Sequence, residues 1–412
     1  MLSGSNPQAP HLLYIVTDAV AAARSFAGQM KYMREQGYRV TVIGSPGPSL
    51  ERVIQQEQVD VIPLAMEREI HPTKDLQSLW QLFSIMRKLK PDLVHTATPK
   101  ASLLGMICAY LLRIPVRYYG LWGLRMETTT GFKRQCLWWS EWLTSYCSHI
   151  VLSVGAGLKH RYAKEGLAPD YKIKVVGQGS ANGVDLHRFS RTKTRLTEAV
   201  QLKSKFEIPL DKSVLGYVGR LTKDKGIREL KAAFESLLLQ YDDLHLLLVG
   251  DFEKGDPVEL EIQAWLKQSP AVSITGFVDN TAPFYGMIDM FVFPSYREGL
   301  PNVLLEASAA RLPIVASNCT GNEDIVHHGR TGLVVNVGDD RDLEIAIRTY
   351  LDDPLQAESM ASNAHQAVVN YYDHQVFWSM LEADYQASLK KSCPQFQWPL
   401  IPMVPAEERR AA

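Results

Sequence analysis

Short apolar runs alternate with amphipathic stretches from one end of this chain to the other, and halfway along the alternation starts again. HLLYIV, YRVTVIG, VDVIPL, DLVHT, PVRYYG and HIVLSV form the first set; SVLGYVG, LHLLLVG, VSITGF, DMFVFP, LPIVAS and TGLVV form the second. Each run is almost continuously apolar, the mark of a strand covered on both faces. Such strands, separated by helix-length stretches, build right-handed parallel β-α-β units. Helices are expected at 24–36, 73–90 and 99–112. A further one at 226–241 carries Ile227, Leu230, Phe234, Leu237 and Leu238 at three- and four-residue spacing, which makes one apolar face. A length of 412 residues is too great for one ordinary core and suits two. The chain reads as an α/β protein of two domains, at 11–186 and 212–371. The polar, mixed-charge stretch 187–211 is expected to connect them. A last helix, about 372–391, is expected to pack back on the first domain. Residues 393–412 hold four prolines and a charged end, so a flexible tail is expected there.

Apolar residues make up 46% and charged residues 22%, the balance of a soluble globular protein. A net charge of -1 argues against general nucleic-acid binding. The distribution says more than the sum. Residues 1–190 hold 22 Lys and Arg against 14 Asp and Glu, and the remainder is acidic. An anionic partner on the N-terminal side, a phosphate or a membrane surface, is one reading; ordinary surface variation is the other. Cys108, Cys136, Cys147, Cys319 and Cys393 are scattered and lack C-x-x-C spacing, so no disulfide framework or zinc site follows. A reducing cytoplasm suits such usage. The polar start MLSGSNPQAP has no basic region and does not read as a signal peptide. The longest apolar run, Leu103 to Leu112, falls short of the roughly 20 residues a membrane span needs. It reads as a buried helix. Peripheral membrane contact by part of this region, with LWWSEWL just beyond it, is the alternative.

The strongest local signal is FVFPSYREGLPNVLLEASAARLPIVAS, residues 291–317. A buried strand ends at Pro294, and a loop with Glu298 and Gly299 follows. Pro301 takes the first helical position, where its missing N–H costs nothing. The helix is expected to run through Glu306 and stop before Pro313. Gly299 would let backbone approach a ligand. The free N–H groups from about Leu300 to Val303 mark a favourable place for phosphate. Glu298 and Glu306 stand eight residues apart and can each accept several hydrogen bonds from hydroxyls. An ordinary helix start with one surface Glu has the same spacing.

The second signal is GYVGRLTKDKGIREL, residues 216–230. A strand ends at Gly219; Arg220 and Lys225 flank the polar turn before the next helix. Cations at the carboxyl end of a parallel strand lie where such sheets bind ligands. A departing diphosphate gains charge during transfer, and fixed cations stabilise it. Solvated loop charges are the plainer alternative.

With these motifs, the chain resembles a family 4 glycosyltransferase of GT-B fold, particularly the bacterial capsular and exopolysaccharide transferases, over about residues 11–390. The most specific marker is E-x7-E, met by Glu298 and Glu306. G-R-L-x3-K-G is met by Gly219, Arg220, Leu221, Lys225 and Gly226, and Asn-Gly-Val-Asp by Asn182, Gly183, Val184 and Asp185. The resemblance implies two facing Rossmann-like domains with an interdomain cleft, the nucleotide-sugar donor being held by the second. Arg220 and Lys225 would hold the donor diphosphate, Glu306 the ribose and Glu298 the sugar hydroxyls. Backbone of Gly299, Leu300, Asn302 and Val303 would line sugar and phosphates, and Gly276, Phe277 and Val278 would lie near the base. Catalytic roles fall to Glu298, Arg220 and Lys225. Anomeric retention with neither a required metal nor a cofactor is implied as well. One departure matters: many relatives carry a His-Gly pair where this chain has Trp122 and Gly123. Either Trp122 supplies an apolar wall, or Arg125 or Glu127 takes over polar contacts. Glu127 with Lys133 and Arg134 could instead meet an acceptor phosphate, or simply hold its own loop by ion pairs.

Weaker features are discounted. Gly177 and Gly179 imitate part of a dinucleotide fingerprint, with the third glycine misplaced. Asp340 and Asp342 form a D-x-D triplet that better caps and charges a helix at 341–352 than holds a metal. His95 ends a strand at a cleft edge and is a candidate for the acceptor side. His327 and His328 are expected late in a helix. The expected reaction moves a sugar, from a UDP-sugar for preference, to a polyprenyl-diphosphate-linked saccharide at the inner face of the cell membrane, with peripheral contact to anionic lipid. A transferase acting on a soluble acceptor, a nucleotide-sugar epimerase and a non-catalytic sugar-nucleotide binder are the rivals.

Overall fold

The structure, a computed structural model, describes residues 9–67, 71–253, 255–394 and 396. The expected tail at 393–412 lies almost wholly outside them. The first sheet has seven strands: β1 (His11–Ile15), β2 (Arg39–Gly44), β3 (Asp60–Pro63), β4 (Leu93–Ala97), β5 (Val116–Leu121), β6 (Ile150–Ser153) and β7 (Ile173–Lys174). Its order is β3-β2-β1-β4-β5-β6-β7. The second has six: β8 (Ser213–Val218), β9 (Leu244–Val249), β10 (Val272–Ile274), β11 (Met290–Phe293), β12 (Ile314–Ser317) and β13 (Leu333–Val335), in the order β10-β9-β8-β11-β12-β13. The strand pairings are parallel. The central apolar runs become strands covered on both sides, every residue of β1, β4, β9 and β11 being buried, whereas the edge strands β3 and β10 stay partly exposed. The two-residue β7 is too short to leave a mark in the sequence.

The strand order reverses direction once in each sheet, between β1 and β4 and between β8 and β11. Helices on either side of the reversal pack on opposite faces, so the strand tips there splay and leave a place for a ligand.

By internal contacts the described chain forms two compact units. One comprises the residues up to Thr96, Lys100–Tyr118 and those from Leu381 on; the other comprises Ala97–Pro99 and Tyr119–Met380. In the first, the last helix, His374–Ser392, contributes its C-terminal half: the Tyr118 hydroxyl donates to Asp384 Oδ2 at 2.8 Å and lies 2.7 Å from Ser388 Oγ. In the second unit, the helix Ile227–Leu237 buries Ile227, Leu230, Ala233, Phe234 and Leu237, the face its periodicity predicts.

Three expectations are corrected. The single helix at 24–36 is two, Ala19–Ser25 and Gln29–Glu35. Gly28 breaks them apart in the left-handed region at φ 77°, its N–H donating to Glu57 Oε1 at 2.7 Å. The connecting stretch 187–211 is not simply a polar linker but contains the helix Lys193–Lys205, capped by Thr192. His327 and His328 do not lie late in a helix: His327 is in irregular chain and His328 in an isolated bridge with Gly332; Thr331 accepts the His327 N–H through its hydroxyl, and the His328 ring bonds the Val334 backbone.

Candidate active site

The tips of β8 and β11 carry the charged residues that the sequence singles out. β8 ends at Val218, and Gly219 and Arg220 follow at once. The chain turns through a short 3-10 segment, Lys223–Lys225, and Gly226 starts the helix Ile227–Leu237. Gly226 sits at φ +71°, and a Cβ there would come within 2.1 Å of the Pro294 carbonyl oxygen. Only glycine lets the β8 loop lie this tightly against the end of β11. The closeness sets Lys225 against Glu298: Lys225 Nζ donates to Glu298 Oε1 at 2.5 Å, with side chains 13% and 15% exposed. Ser295 Oγ donates to the same oxygen at 2.9 Å. A shielded, doubly supported ion pair at the sheet's reversal point is a preorganised polar group of the kind that holds an anionic, hydroxylated ligand.

Arg220 stands more openly. Its guanidinium donates to Glu253 Oε2 at 3.0 Å, with half of the Arg side chain in solvent. Burial works against its charge, but Glu253 more than offsets this and raises its pKa. Tyr217 ties the loop down by donating to the Arg220 carbonyl at 2.9 Å. In the same loop, Asp224 accepts from Arg297 at 3.0 Å and from Thr222 Oγ1 at 2.6 Å. A cavity of about 330 Å³ opens on the other side of this loop, lined by Lys223, Arg228, Glu229, Asp256, Glu259 and Tyr296 among others.

The helix expected at Pro301 begins at Asn302 and runs to Ala309. Pro301 is its cap instead, with ψ at 114°, outside the helical region. The first backbone N–H groups of a helix have no acceptor in the preceding turn. Here they belong to Asn302 and Val303, with Leu300 just before. The Asn302 side-chain oxygen is buried at this helix start without a hydrogen-bond partner. Glu306, one turn on, accepts from the Tyr285 hydroxyl at 2.7 Å. Gly299 is buried, and its own backbone is the close approach: a Cβ there would come within 1.9 Å of the Trp122 carbonyl oxygen. The need for glycine at 299 therefore arises from protein packing. Gly276, Phe277 and Val278 follow β10, with Phe277 65% exposed.

The residues expected on the acceptor side are not gathered in one place. His95 is not at a cleft edge but inside the first unit, 3% exposed, in register with Tyr14 on β1. Its Nδ1 bonds the Tyr385 hydroxyl, and the rings of Tyr14, Phe26, Tyr118 and Tyr385 surround it. Burial pushes its pKa down to about 3, so the ring is neutral at ordinary pH. His95 is the middle residue of β4, a strand buried along its whole length, and so belongs to the core. Trp122 and Gly123 follow β5, and Arg125 is exposed in the short turn Arg125–Thr128. Glu127 faces Arg161 at 3.8 Å, whereas Arg134 is taken by Glu165 at 2.7 Å, so the cluster of Glu127 with Lys133 and Arg134 does not form. Burial raises the Glu127 pKa, and Arg161 and Arg297 oppose that rise. Asp342 accepts from Asn336 while Asp339 caps the helix Asp340–Asp352, so the D-x-D residues serve a helix start.

Four residues that build the site escaped the sequence reading: Glu253, Ser295, Tyr285 and Asp224. Glu253 follows β9, next to β8 in the sheet, so a charged residue after that strand was the available signal. Ser295 and Tyr285 have no signature beyond their chain position.

Comparison with known proteins fits this geometry. Residues 212–353 match the model described as glycosyl transferases group 1, and residues 21–179 match the glycosyl transferase 4-like domain. The capsular polysaccharide biosynthesis glycosyltransferase CapM of Staphylococcus aureus is 34% identical over 365 residues, covering 89% of this chain and 94% of that one. The chain belongs to the family 4 glycosyltransferases. A second relative of this glycosyltransferase is the UDP-Gal:alpha-D-GlcNAc-diphosphoundecaprenol alpha-1,3-galactosyltransferase of Escherichia coli, 27% identical over 312 residues, with 74% of this chain and 78% of that one covered. Among solved structures, Anabaena Alr3699/HepE in complex with UDP and glucose superposes with a TM-score of 0.77 at 19% identity, covering 92% of this chain and 99% of that one. The transferase thus has the GT-B fold, with its two parallel sheets.

Proposed function

We propose that this glycosyltransferase takes its sugar from a UDP-sugar and passes it, with retention of anomeric configuration, to a saccharide carried on a polyprenyl diphosphate during surface polysaccharide synthesis. In this reading the donor belongs to residues 212–371 and the acceptor to 11–186. The observation that carries it is the shielded Lys225–Glu298 pair where β8 and β11 part. Lys225 and Arg220 take the diphosphate and stabilise the charge it gains on leaving. The start of the helix Asn302–Ala309 adds backbone N–H groups to the same phosphates. Glu298, freed from part of its pairing with Lys225, accepts hydrogen bonds from the sugar hydroxyls, and Glu306 those of the ribose. Acceptor attack comes from the face the diphosphate leaves, without a covalent enzyme intermediate, and no metal is required. The E. coli relative, named for a diphosphoundecaprenol acceptor and UDP-Gal, and the CapM relative, named for capsule synthesis, support the acceptor, the donor and the pathway. The acceptor places the enzyme at the cytoplasmic face of the membrane.

Titration calorimetry with nucleoside diphosphates tests the donor half. UDP is expected to bind, and Arg220→Ala to weaken it about ten- to a hundredfold, the loss of one charge-assisted hydrogen bond. Equal affinity in the variant overturns the diphosphate assignment.

A further inference from the structure

The helix Gly131–Cys147 is turned inside out. Its buried side carries Glu141, Thr144 and Ser145. These polar groups are satisfied within the protein: the Tyr119 hydroxyl donates to Glu141 Oε2 at 2.6 Å, that of Tyr162 to the Glu141 carbonyl at 3.1 Å, and Thr144 Oγ1 to the Ser140 carbonyl at 2.7 Å. The outward side is aromatic. Phe132 is 81% exposed, Trp139 61% and Tyr146 55%. Positions 132, 136, 139, 143 and 146 recur three and four residues apart, so they form one stripe along the helix. Trp142 completes it, stacked on Tyr146 at 5.4 Å and edge-on to Trp139 at 5.6 Å. Exposed rings spaced along one stripe, with Trp139, Trp142 and Tyr146 in successive contact, mark an interaction surface.

Charge identifies the partner. The helix has three charged residues, Lys133, Arg134 and Glu141. Glu141 is buried and Arg134 is paired with Glu165, so the helix offers no carboxylate outward. Lys133 is exposed near one end of the stripe. Lys172 stands at the other, its ammonium donating to the Tyr146 carbonyl at 3.3 Å. Rings that are apolar in body and polar at the tip, set between ammonium groups, match the interface of an anionic bilayer, where rings lie at the headgroup level and cations meet lipid phosphate.

We propose that this face of the helix docks the enzyme on an anionic lipid surface, with Phe132, Trp139 and Tyr146 entering the headgroup layer and Lys133 and Lys172 meeting lipid phosphates. The inference rests on the reading of a membrane-borne acceptor, and its primary test, vesicle sedimentation, needs neither donor nor acceptor. Full-length protein is mixed with vesicles of phosphatidylglycerol and phosphatidylcholine and sedimented. Wild type is expected to follow the vesicles, less so with added salt or without phosphatidylglycerol. The Phe132→Ser/Trp139→Ser double variant is expected to lose about tenfold or more in partition, with UDP affinity unchanged as proof of folding. Cys136, exposed on the same face while the other cysteines are buried, takes a polarity-sensitive thiol label whose emission is expected to shift to the blue on vesicles. Wild type left in the supernatant overturns the proposal, as does equal partition of the double variant. A wild-type dimer in buffer that the double variant abolishes would overturn it as well, by giving the face to a second copy. Wild type that leaves the vesicles unbound yet transfers sugar to a detergent-solubilised polyprenyl acceptor removes this inference alone. Vesicle binding without such transfer removes only the acceptor reading.

Discussion

The reversal point of the first sheet, at β1 and β4, and that of the second, at β8 and β11, are the same feature of the same topology, but their side chains differ in kind. At the first, Tyr14 and His95 stand opposite each other among further rings, and the histidine is buried and neutral. At the second, Arg220, Lys225, Glu253 and Glu298 form two ion pairs, one shielded and one open. Topology supplies a place where strand tips part, and the residues set there decide whether it becomes core or site. The contrast is sharpest in how each satisfies polarity: the first gives the histidine a tyrosine hydroxyl, while the second pairs charge with charge.

Variants should separate the two points cleanly. The largest effect is expected from Lys225→Ala, which removes the shielded cation: kcat should fall about 10²–10³-fold, the scale for losing one preorganised group that stabilises transition-state charge, with little change in unfolding midpoint. A steady-state assay with the cognate donor reads the first, and a denaturant titration the second. A fall in KM-type binding alone, with kcat kept, would break the comparison at the donor side. Next in size is His95→Ala. It leaves a void and strips the Tyr385 hydroxyl of its partner, so stability should drop by about 2–3 kcal/mol while UDP affinity stays within about twofold. A large loss of nucleotide binding would mean that the first reversal point also serves the donor.

The same histidine gives a pH test. Its folded pKa, about 3, lies below the ordinary 6.5, so the unfolded chain binds a proton that the native ring refuses. Its contribution is therefore intact above pH 6.5 and is lost as pH falls from there toward 3. Within that window, His95→Asn should flatten the slope of unfolding free energy against pH by up to about 1.4 kcal/mol per unit, measured by denaturant titration at several pH values. The smallest expected effect is at the open pair. In the proposed reading Glu253 competes with an incoming phosphate for Arg220, and both side chains are partly in solvent. Glu253→Gln should tighten UDP binding by no more than about fivefold, the range of an exposed ion pair, by calorimetry. Weaker binding in that variant would show that Glu253 orients Arg220 instead of competing with the ligand.

Much of the proposed donor site was legible before any coordinates. Lys225 and Glu298 belong to separate motifs, and each follows a strand that its apolar run announces, so a parallel sheet had to bring both to the same edge. The acceptor candidates were not legible in this way. His95 stands two residues inside the end of β4, and the packing on both faces of that strand, which the sequence does not show, makes it core. LWWSEWL shows its rings in the sequence but not which of its residues face out; Glu141 goes in and Trp139 goes out because Tyr119 and Tyr162 from elsewhere in the chain supply hydroxyls to Glu141.

The sequence by itself determined the two parallel sheets, the positions of the cations and acids at strand ends, and the glycine that lets the β8 loop close on β11. These follow from periodicity and from backbone geometry, which act over a few residues. Only the tertiary structure decided which polar groups meet: Arg220 with Glu253, Glu298 with Ser295, Glu306 with Tyr285, His95 with Tyr385, and Glu141 with its two tyrosines. A hydrogen bond requires its partners within about 3 Å, and separations of 3 to 290 residues leave no local trace of which partner that will be.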